Sequence, residues 1–189
     1  MKAPAGGTVL DPAAAVALHA FAQATVRAWA RGEPLPPVPD HPALQRHTGA
    51  FVSLHRDGAL RGCIGHLEDD LSLAEVTGRM AVAAARADPR FAPVDRLELE
   101  GLTVEISVLS PPELATPEEV MPGRDGVLVR RGSRQGLLLP QVAPEMGWGR
   151  LDLLEGVCRK AGLARGAWRD PATELLTFKA QVITGPAGA

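Results

Sequence analysis

The chain has 189 residues, of which 46% are hydrophobic and 22% charged, a composition that supports a buried core and excludes a disordered chain. Its 20 basic and 22 acidic residues give a formal charge of -2, which argues against nucleic-acid binding. No stretch approaches the roughly 18 apolar residues of a membrane span, and the first residues lack the apolar core of a signal peptide. We therefore expect a cytoplasmic protein that makes no contact with a membrane.

The first predicted element is a long helix. Asp11 followed by Pro12 is typical of a helix start, and apolar residues then recur at helical spacing as far as Gly32. This pattern predicts a helix over residues 12–31. The proline-rich stretch at residues 33–42 then excludes a helix or a central strand.

A β-hairpin and a second helix are predicted next. Two short apolar runs, at residues 50–54 and 60–67, flank the turn-forming sequence Arg-Asp-Gly at residues 56–58, which predicts two antiparallel strands. The alanine-rich run at residues 73–87 follows a Ser-x-x-Glu capping pattern and precedes Pro89. We expect this helix to pack on the sheet.

The second half of the chain is predicted to hold more strands and one further helix. The remaining predicted elements are strands at residues 102–109, 126–131, 136–139 and 174–183 and a helix at residues 151–161 that ends at Gly162. Residues 140–149 are predicted to lack regular structure because proline and glycine interrupt them. Strand pairs joined by tight turns, with helices between the pairs, indicate an α+β fold with antiparallel sheet.

The densest candidate for a functional site is the sequence Leu-Arg-Gly-Cys-Ile-Gly at residues 60–65. Strand alternation places on one face Arg61, Cys63 and Gly65, and on the other Gly62, Ile64 and His66. Two glycines weaken a strand unless another group approaches its backbone closely. The common signatures of nucleotide, zinc and serine-hydrolase sites are absent from the sequence, so we predict no cofactor and no metal.

Cys63 has two interpretations. An arginine beside a thiol favours the thiolate, so Arg61 on the same strand face predicts a reactive cysteine. Free cysteine is also among the most buried residue types, so a small structural residue in a packed strand is the alternative. The second cysteine, Cys158, is predicted on the inner face of a helix, and we expect no disulfide between the two.

The sequence resembles the AMMECR family in a series of blocks that follow the family's order. The blocks are LRGCIG at 60–65, FVSL at 51–54, DPRF at 88–91, EISVLS at 105–110, LPQVA at 139–143, GW at 147–148 and KAGL at 160–163. The resemblance covers the chain from the first predicted helix to the last predicted strand. Together they are a specific signal, whereas the hexapeptide alone would be suggestive only.

The resemblance implies a single domain over residues 1–189 with a larger and a smaller lobe, and with the signature residues near a cleft between them. Bacterial and archaeal relatives often occur with a Memo-like protein and a radical S-adenosylmethionine enzyme. These two proteins are therefore the implied partners, together with an unknown small molecule, and some modification chemistry is the implied context. The resemblance implies no established reaction.

The candidate site residues follow from the signature and its neighbouring blocks. The candidate catalytic residues are Cys63, Arg61 and Glu105, and the candidate ligand-binding residues are Arg61, Gly62, Gly65, Asp88 and Arg90. Arg61 is expected to pair with Glu105, because a charge inside a strand needs a partner. If Glu105 faces a cleft it is the best general base in the chain, and a structural glutamate is the alternative. Asp88 and Arg90 are expected to cap the preceding helix and hold a loop, with Phe91 in the core.

Two classes of function remain open from the sequence. In the first, the protein is an enzyme or enzyme subunit that binds a small molecule and uses Cys63 as a thiolate. In the second, it is a non-catalytic adaptor that presents the same surface to a partner protein. A concave pocket beside a reactive thiol would favour the first class, and a flat apolar patch would favour the second.

Overall fold

The computed structural model describes residues 9–185, which separate into two compact units. The first unit contains residues 9–109 and 181–185, and the second contains Ser110–Ala180. Each unit has its own buried apolar cluster and its own four-stranded antiparallel sheet, which confirms the predicted α+β class. Among the described helices, none has the length and apolar character needed to cross a membrane.

The described residues contain four α-helices and eight strands. In chain order they are α1 (Pro12–Arg31), β1 (Ala50–Arg56), β2 (Ala59–His66), α2 (Leu73–Arg86), β3 (Leu102–Leu109), β4 (Glu113–Leu114), β5 (Gly126–Arg131), β6 (Arg134–Leu138), α3 (Val142–Met146), α4 (Arg150–Lys160), β7 (Glu174–Phe178) and β8 (Ala180–Thr184). The strand order is β2-β1-β3-β8 in the first unit and β4-β7-β5-β6 in the second.

Both helices of the first unit begin and end where the sequence predicts. The Asp11 carboxylate accepts a hydrogen bond from the Ala14 N–H, and Gly32 ends α1 with a φ of 69°. At the start of α2, Ser72 and Glu75 form the reciprocal capping box. The two helices share one apolar cluster with the sheet.

The hairpin of β1 and β2 contains one extra residue. Both turn residues, Asp57 and Gly58, have positive φ, as a tight hairpin turn requires. The register shifts between Leu54 and His55, which leaves Arg61 as an extra residue in β2. Strand β1 pairs antiparallel with both β2 and β3, and α2 packs on β1 and β2, so the predicted arrangement is confirmed.

The glycines of the hexapeptide allow close approaches within the first unit. A Cβ atom on Gly62 would lie 2.3 Å from the backbone oxygen of Ala84, so this glycine is where α2 meets the sheet. A Cβ atom on Gly65 would lie 2.2 Å from the ring of Phe51. The groups that approach these two backbones are therefore part of the same chain.

The second unit places α4 against its sheet. Leu154, Val157 and Cys158 of this helix are fully buried, as predicted, and Gly162 follows with a φ of 67°. The hairpin of β5 and β6 turns at residues 132–133, which pairs Arg131 with Arg134 and makes β6 begin two residues earlier than predicted.

Two predictions for the second half of the chain were wrong. The segment 140–149 contains the short helix α3, because Pro144 occupies its first turn, where an N–H is not needed, and Gly147 ends it with a φ of 65°. The single strand predicted at 174–183 is two strands in different sheets. The chain breaks at Lys179, whose N–H donates to the Ser110 hydroxyl and whose ammonium pairs with the carboxylate of Asp125.

Candidate functional site

Three polar side chains form a row across the first sheet. Cys63 of β2 faces Ser53 of β1, and Ser53 also faces Glu105 of β3. Directly opposed residues share a face of the sheet, and here it is the face opposite the contact between Gly62 and α2. The Ser53 hydroxyl donates to Cys63 Sγ over 3.3 Å. The row thus combines a thiol, a hydroxyl and a carboxylate.

Glu105 is available for contact with a bound molecule. The carboxylate is half-buried, and within residues 9–185 it makes no hydrogen bond or ion pair. In the next row, Ser107 faces Phe51 and is 1% exposed, and its hydroxyl has no hydrogen-bond partner in the described part of the chain. Most buried hydroxyls are hydrogen-bonded, so this face of the sheet is unusual in having two polar side chains, Ser107 and Glu105, without a hydrogen-bond partner in residues 9–185.

Asp88 holds the outer edge of β2 at the cysteine. Its carboxylate accepts the Cys63 N–H over 2.9 Å and the Arg90 N–H over 3.0 Å. It also accepts Nε of Arg90 over 3.0 Å and Nη2 over 2.7 Å. The hydrogen bonds from Arg90 and from these backbone groups hold the pKa of Asp88 far below its usual value, against the opposing effect of burial.

The structure corrects the expectation that Asp88 caps α2. That helix ends with the N–H of Ala87 bonded to the Ala83 carbonyl, and the Asp88 side chain turns to β2 instead. The expected role of Asp88 and Arg90 in holding the loop is observed.

Arg61 pairs with Glu98, which corrects the expected pair with Glu105. Its Nε and Nη2 donate to the two carboxylate oxygens of Glu98, each over 2.9 Å. Glu105 lies on β3, beyond β1, and two strand spacings amount to about 10 Å. The Arg61 hydrogen bonds lower the pKa of Glu98 to about 2.

The ring of Phe91 contacts two guanidinium groups, and this residue is absent from the buried core, where it was expected. Its ring centre is 5.8 Å from Cζ of Arg61 and 5.4 Å from Cζ of Arg90. The side chain of Arg61 is 15% exposed and that of Arg90 is 55% exposed. Asp88 accepts hydrogen bonds from both Cys63 and Arg90, so the cation connected to the cysteine is Arg90. The sequence had predicted Arg61 for this role.

The other candidate groups lie outside this row. His66 Nε2 is 2.5 Å from a carboxylate oxygen of Asp70, a contact that lowers the pKa of that acid. Residues 9–185 contain no group of three or more His, Cys, Asp or Glu side chains placed to hold a metal ion. Cys63 and Cys158 are both free thiols, which confirms that they are not bonded to each other. Burial raises the pKa of Cys158.

The pair of Arg61 and Glu98 makes stability depend on pH. Because the pKa of Glu98 is lowered to about 2, the pair stabilises fully above the usual glutamate value of about 4.3 and is lost as the pH falls toward 2. We expect Glu98→Gln to lower the free energy of unfolding at pH 7 by about 2 kcal/mol and to flatten its pH dependence below pH 4. Urea denaturation across pH measures both effects, with the exposed Glu100→Gln as control. Parallel pH curves for wild type and Glu98→Gln would contradict this assignment.

Comparison with known proteins shows that a single protein family covers sequence from both units. Residues 19–183 match the sequence model of the family described as AMMECR1, which spans parts of both units. Protein TK0174 of Thermococcus kodakarensis is 44% identical over 158 residues, which cover 78% of this chain and 77% of the relative. Protein MK0488 of Methanopyrus kandleri is 43% identical over 161 residues, with coverages of 80% and 78%. The crystal structure of the uncharacterized protein PH0010 from Pyrococcus horikoshii superposes with a TM-score of 0.87 at 36% identity, covering 92% of each chain.

Proposed function

The chain belongs to the AMMECR1 family, and from this premise we propose that it is a thiol-dependent component of a modification system, in which Cys63 accepts and transfers a chemical group. The observation that carries the proposal is the row of Cys63, Ser53 and Glu105, with the hydroxyl donating to the sulfur. A hydroxyl donor favours the charged form of the sulfur, which is the nucleophile.

The proposed step is a nucleophilic displacement at Cys63. The sulfur gives up its proton and attacks an electrophilic carbon of the substrate. A sulfur–carbon bond forms, and the leaving group departs with its electron pair. Ser53 keeps its hydrogen bond to the sulfur. The thiol proton passes to water at the partly exposed Cys63, and Glu105, which faces Ser53 from β3 and makes no hydrogen bond in residues 9–185, lines the same face of the sheet.

The same proposal includes the partners that the resemblance implies. A Memo-like protein and a radical S-adenosylmethionine enzyme would act before or after the thiol step, in the cytoplasm. Family membership supports this part, and co-purification of the three proteins tests it. The group held on Cys63 would pass to one of these partners, so a covalent adduct on Cys63 is expected in protein isolated with them.

Alkylation of the folded protein tests the thiol. We expect iodoacetamide at pH 7.5 to modify Cys63 at least tenfold faster than Cys158, because Cys63 is partly exposed whereas burial raises the pKa of Cys158. Ser53→Ala should slow modification of Cys63 roughly fivefold, the effect of one lost hydrogen bond of about 1 kcal/mol. Peptide mass mapping against time measures both rates.

The control for this experiment is labelling in denaturant, where the two cysteines should react at similar rates. Cys158→Ala provides a protein in which only Cys63 can be labelled. If Cys63 stays unmodified in the folded protein but reacts after denaturation, the thiol proposal is wrong. The same face would then serve as the adaptor surface that the sequence also allowed.

A further inference from the structure

We infer that Arg90 forms an anion subsite beside Cys63, so that the molecule that reacts with the thiol carries a carboxylate or phosphate group. This inference rests on the proposed function and names the substrate class for it. It is argued from the hydrogen-bonding capacity of Asp88 and Arg90, from the exposure of Arg90 and from its fixed position.

Asp88 has no acceptor capacity left for a ligand. Two hydrogen bonds reach Oδ1, from N and Nε of Arg90, and two reach Oδ2, from N of Cys63 and Nη2 of Arg90. An ionised carboxylate accepts about four hydrogen bonds, so this one is saturated. Its side chain is also only 2% exposed. Asp88 therefore serves to hold Arg90 and cannot itself bind a substrate cation or act as a base.

Arg90 has donors to spare. A guanidinium group has five N–H bonds, and only two of those of Arg90 are directed at Asp88. The other three have no protein partner within residues 9–185, and 55% of the side chain is exposed. Arg61 differs in this respect, because it is 15% exposed and its remaining nitrogen, Nη1, is buried. Of the two arginines on Phe91, Arg90 is the one that can bind an anion.

The position of Arg90 is fixed before any ligand binds. Asp88 accepts two hydrogen bonds from one edge of the Arg90 guanidinium group, and the centre of the Phe91 ring lies 5.4 Å from Cζ of Arg90. A rigid, planar donor fork suits the bidentate binding of carboxylate or phosphate. Because less rotamer entropy is lost on binding, such a pre-oriented group binds an anion better than a free arginine does.

The subsite lies next to the thiol. Oδ2 of Asp88 is shared by the N–H of Cys63 and by Nη2 of Arg90, at 2.9 Å and 2.7 Å. The hydrogen bonds to Asp88 raise the pKa of Arg90, so its guanidinium group stays charged. Because Arg90 and the backbone of Cys63 share one carboxylate oxygen, we expect a small anionic electrophile bound to Arg90 to reach the sulfur with its reactive carbon.

Two alkylating reagents of nearly equal size test the inference. Iodoacetate and iodoacetamide both form a sulfur–carbon bond and release iodide, but only iodoacetate is an anion. We expect the ratio of the iodoacetate rate to the iodoacetamide rate to be roughly fivefold higher at Cys63 of the Cys158→Ala protein than for glutathione in the same buffer. The excess should shrink as salt is added, because the attraction is electrostatic and Arg90 is partly exposed.

Matched variants separate Arg90 from a general charge effect. Arg90→Gln should reduce the ratio to that of glutathione or below, and Arg90→Lys should keep part of the excess because it keeps the charge. Arg56 is the control, since it is 44% exposed and ion-paired to Glu98 but makes no contact with Asp88. Arg56→Gln should leave the ratio unchanged. Protection of Cys63 from iodoacetamide by acetate, compared with inorganic phosphate, shows which anion the subsite prefers.

The outcomes distinguish this inference from the proposed function. If Cys63 of the folded protein reacts with neither reagent, the proposed thiol function is wrong. If it reacts with iodoacetamide but shows the same ratio as glutathione, and neither acetate nor phosphate protects it, the thiol function stands and the anion subsite is wrong. An excess that persists in Arg90→Gln would also overturn the assignment to Arg90.

Discussion

Replacement of Gly62 by alanine should destabilise the first unit by about 3 kcal/mol or more, or prevent its folding. The new methyl group would lie 2.3 Å from the backbone oxygen of Ala84 in α2, a separation that real Cβ atoms do not show. Relief requires α2 to move away from the sheet, which opens the apolar cluster that the helix shares with β1 and β2. Urea denaturation followed by circular dichroism measures the loss.

The Cβ atom introduced at residue 62 would clash with a backbone atom and not with a side chain. Two further variants serve as controls. Shortening the neighbour in the double variant Gly62→Ala, Ala84→Gly cannot relieve it, so this protein should be no more stable than the single variant. Gly149→Ala should change the free energy of unfolding by less than about 1 kcal/mol, because its Cβ would meet only an ordinary contact at 3.6 Å. Wild-type stability for Gly62→Ala would show that α2 does not press on this position.

Local signals in the sequence were sufficient for most elements of the fold. Caps such as Asp11 and the Ser72 box depend on residues within a few positions of one another, and they predicted the correct helix starts. The turn at Asp57 and Gly58 predicted the hairpin, although β1 ends two residues later and β2 begins one residue earlier than expected. The break at Lys179 could not be found this way. It depends on Ser110 and Asp125, which are far away in the sequence, so 174–183 looked like one strand.

The position of the cysteine depended on one residue that the pattern did not reveal. With a turn at Asp57 and Gly58 and no irregularity, Ser53 would face Gly62, and Cys63 would face the buried Val52. The extra residue Arg61 shifts the register by one, so that Cys63 faces Ser53 on the polar side of the sheet. The sequence left open whether Cys63 is a packed core residue or an accessible thiol, and this bulge decides between those two environments.

The ionic contacts of the site were the least predictable feature. Strand alternation drew attention to Arg61 and Glu105, which are on strands separated by β1. The actual partner, Glu98, precedes β3 in a short turn whose cap involves Asp95. Asp88 was recognised from its sequence block, but its bond to the N–H of Cys63 required knowledge that β2 is an edge strand. Side-chain partners far apart in the chain follow from the fold and not from local patterns.

Asp88→Asn should destabilise the first unit by about 2 to 3 kcal/mol at pH 7, because the Asp88 carboxylate is buried and its hydrogen bonds involve a charge, although the partner Arg90 is partly exposed. An asparagine amide presents an NH2 group where one carboxylate oxygen accepted hydrogen bonds from Cys63 and Arg90, so buried donors lose their partners. The variant should also lose the expected preference of Cys63 for iodoacetate, because Arg90 is no longer held. Asp57→Asn is the control, as this acid is 83% exposed and asparagine tolerates its positive φ.

The pH dependence of the free energy of unfolding gives a second, independent test of the role of the Asp88 carboxylate. Because the pKa of Asp88 is lowered in the folded protein, its stabilising effect is complete above the usual aspartate value of about 3.9 and is lost as the pH falls through the folded pKa. The difference in free energy of unfolding between wild type and Asp88→Asn should therefore be constant from pH 7 to about pH 5 and become smaller below pH 4. Urea denaturation at each pH measures it. A difference that stays the same at pH 3 would mean that the carboxylate charge contributes nothing, and that Asp88 acts through shape and neutral hydrogen bonds alone.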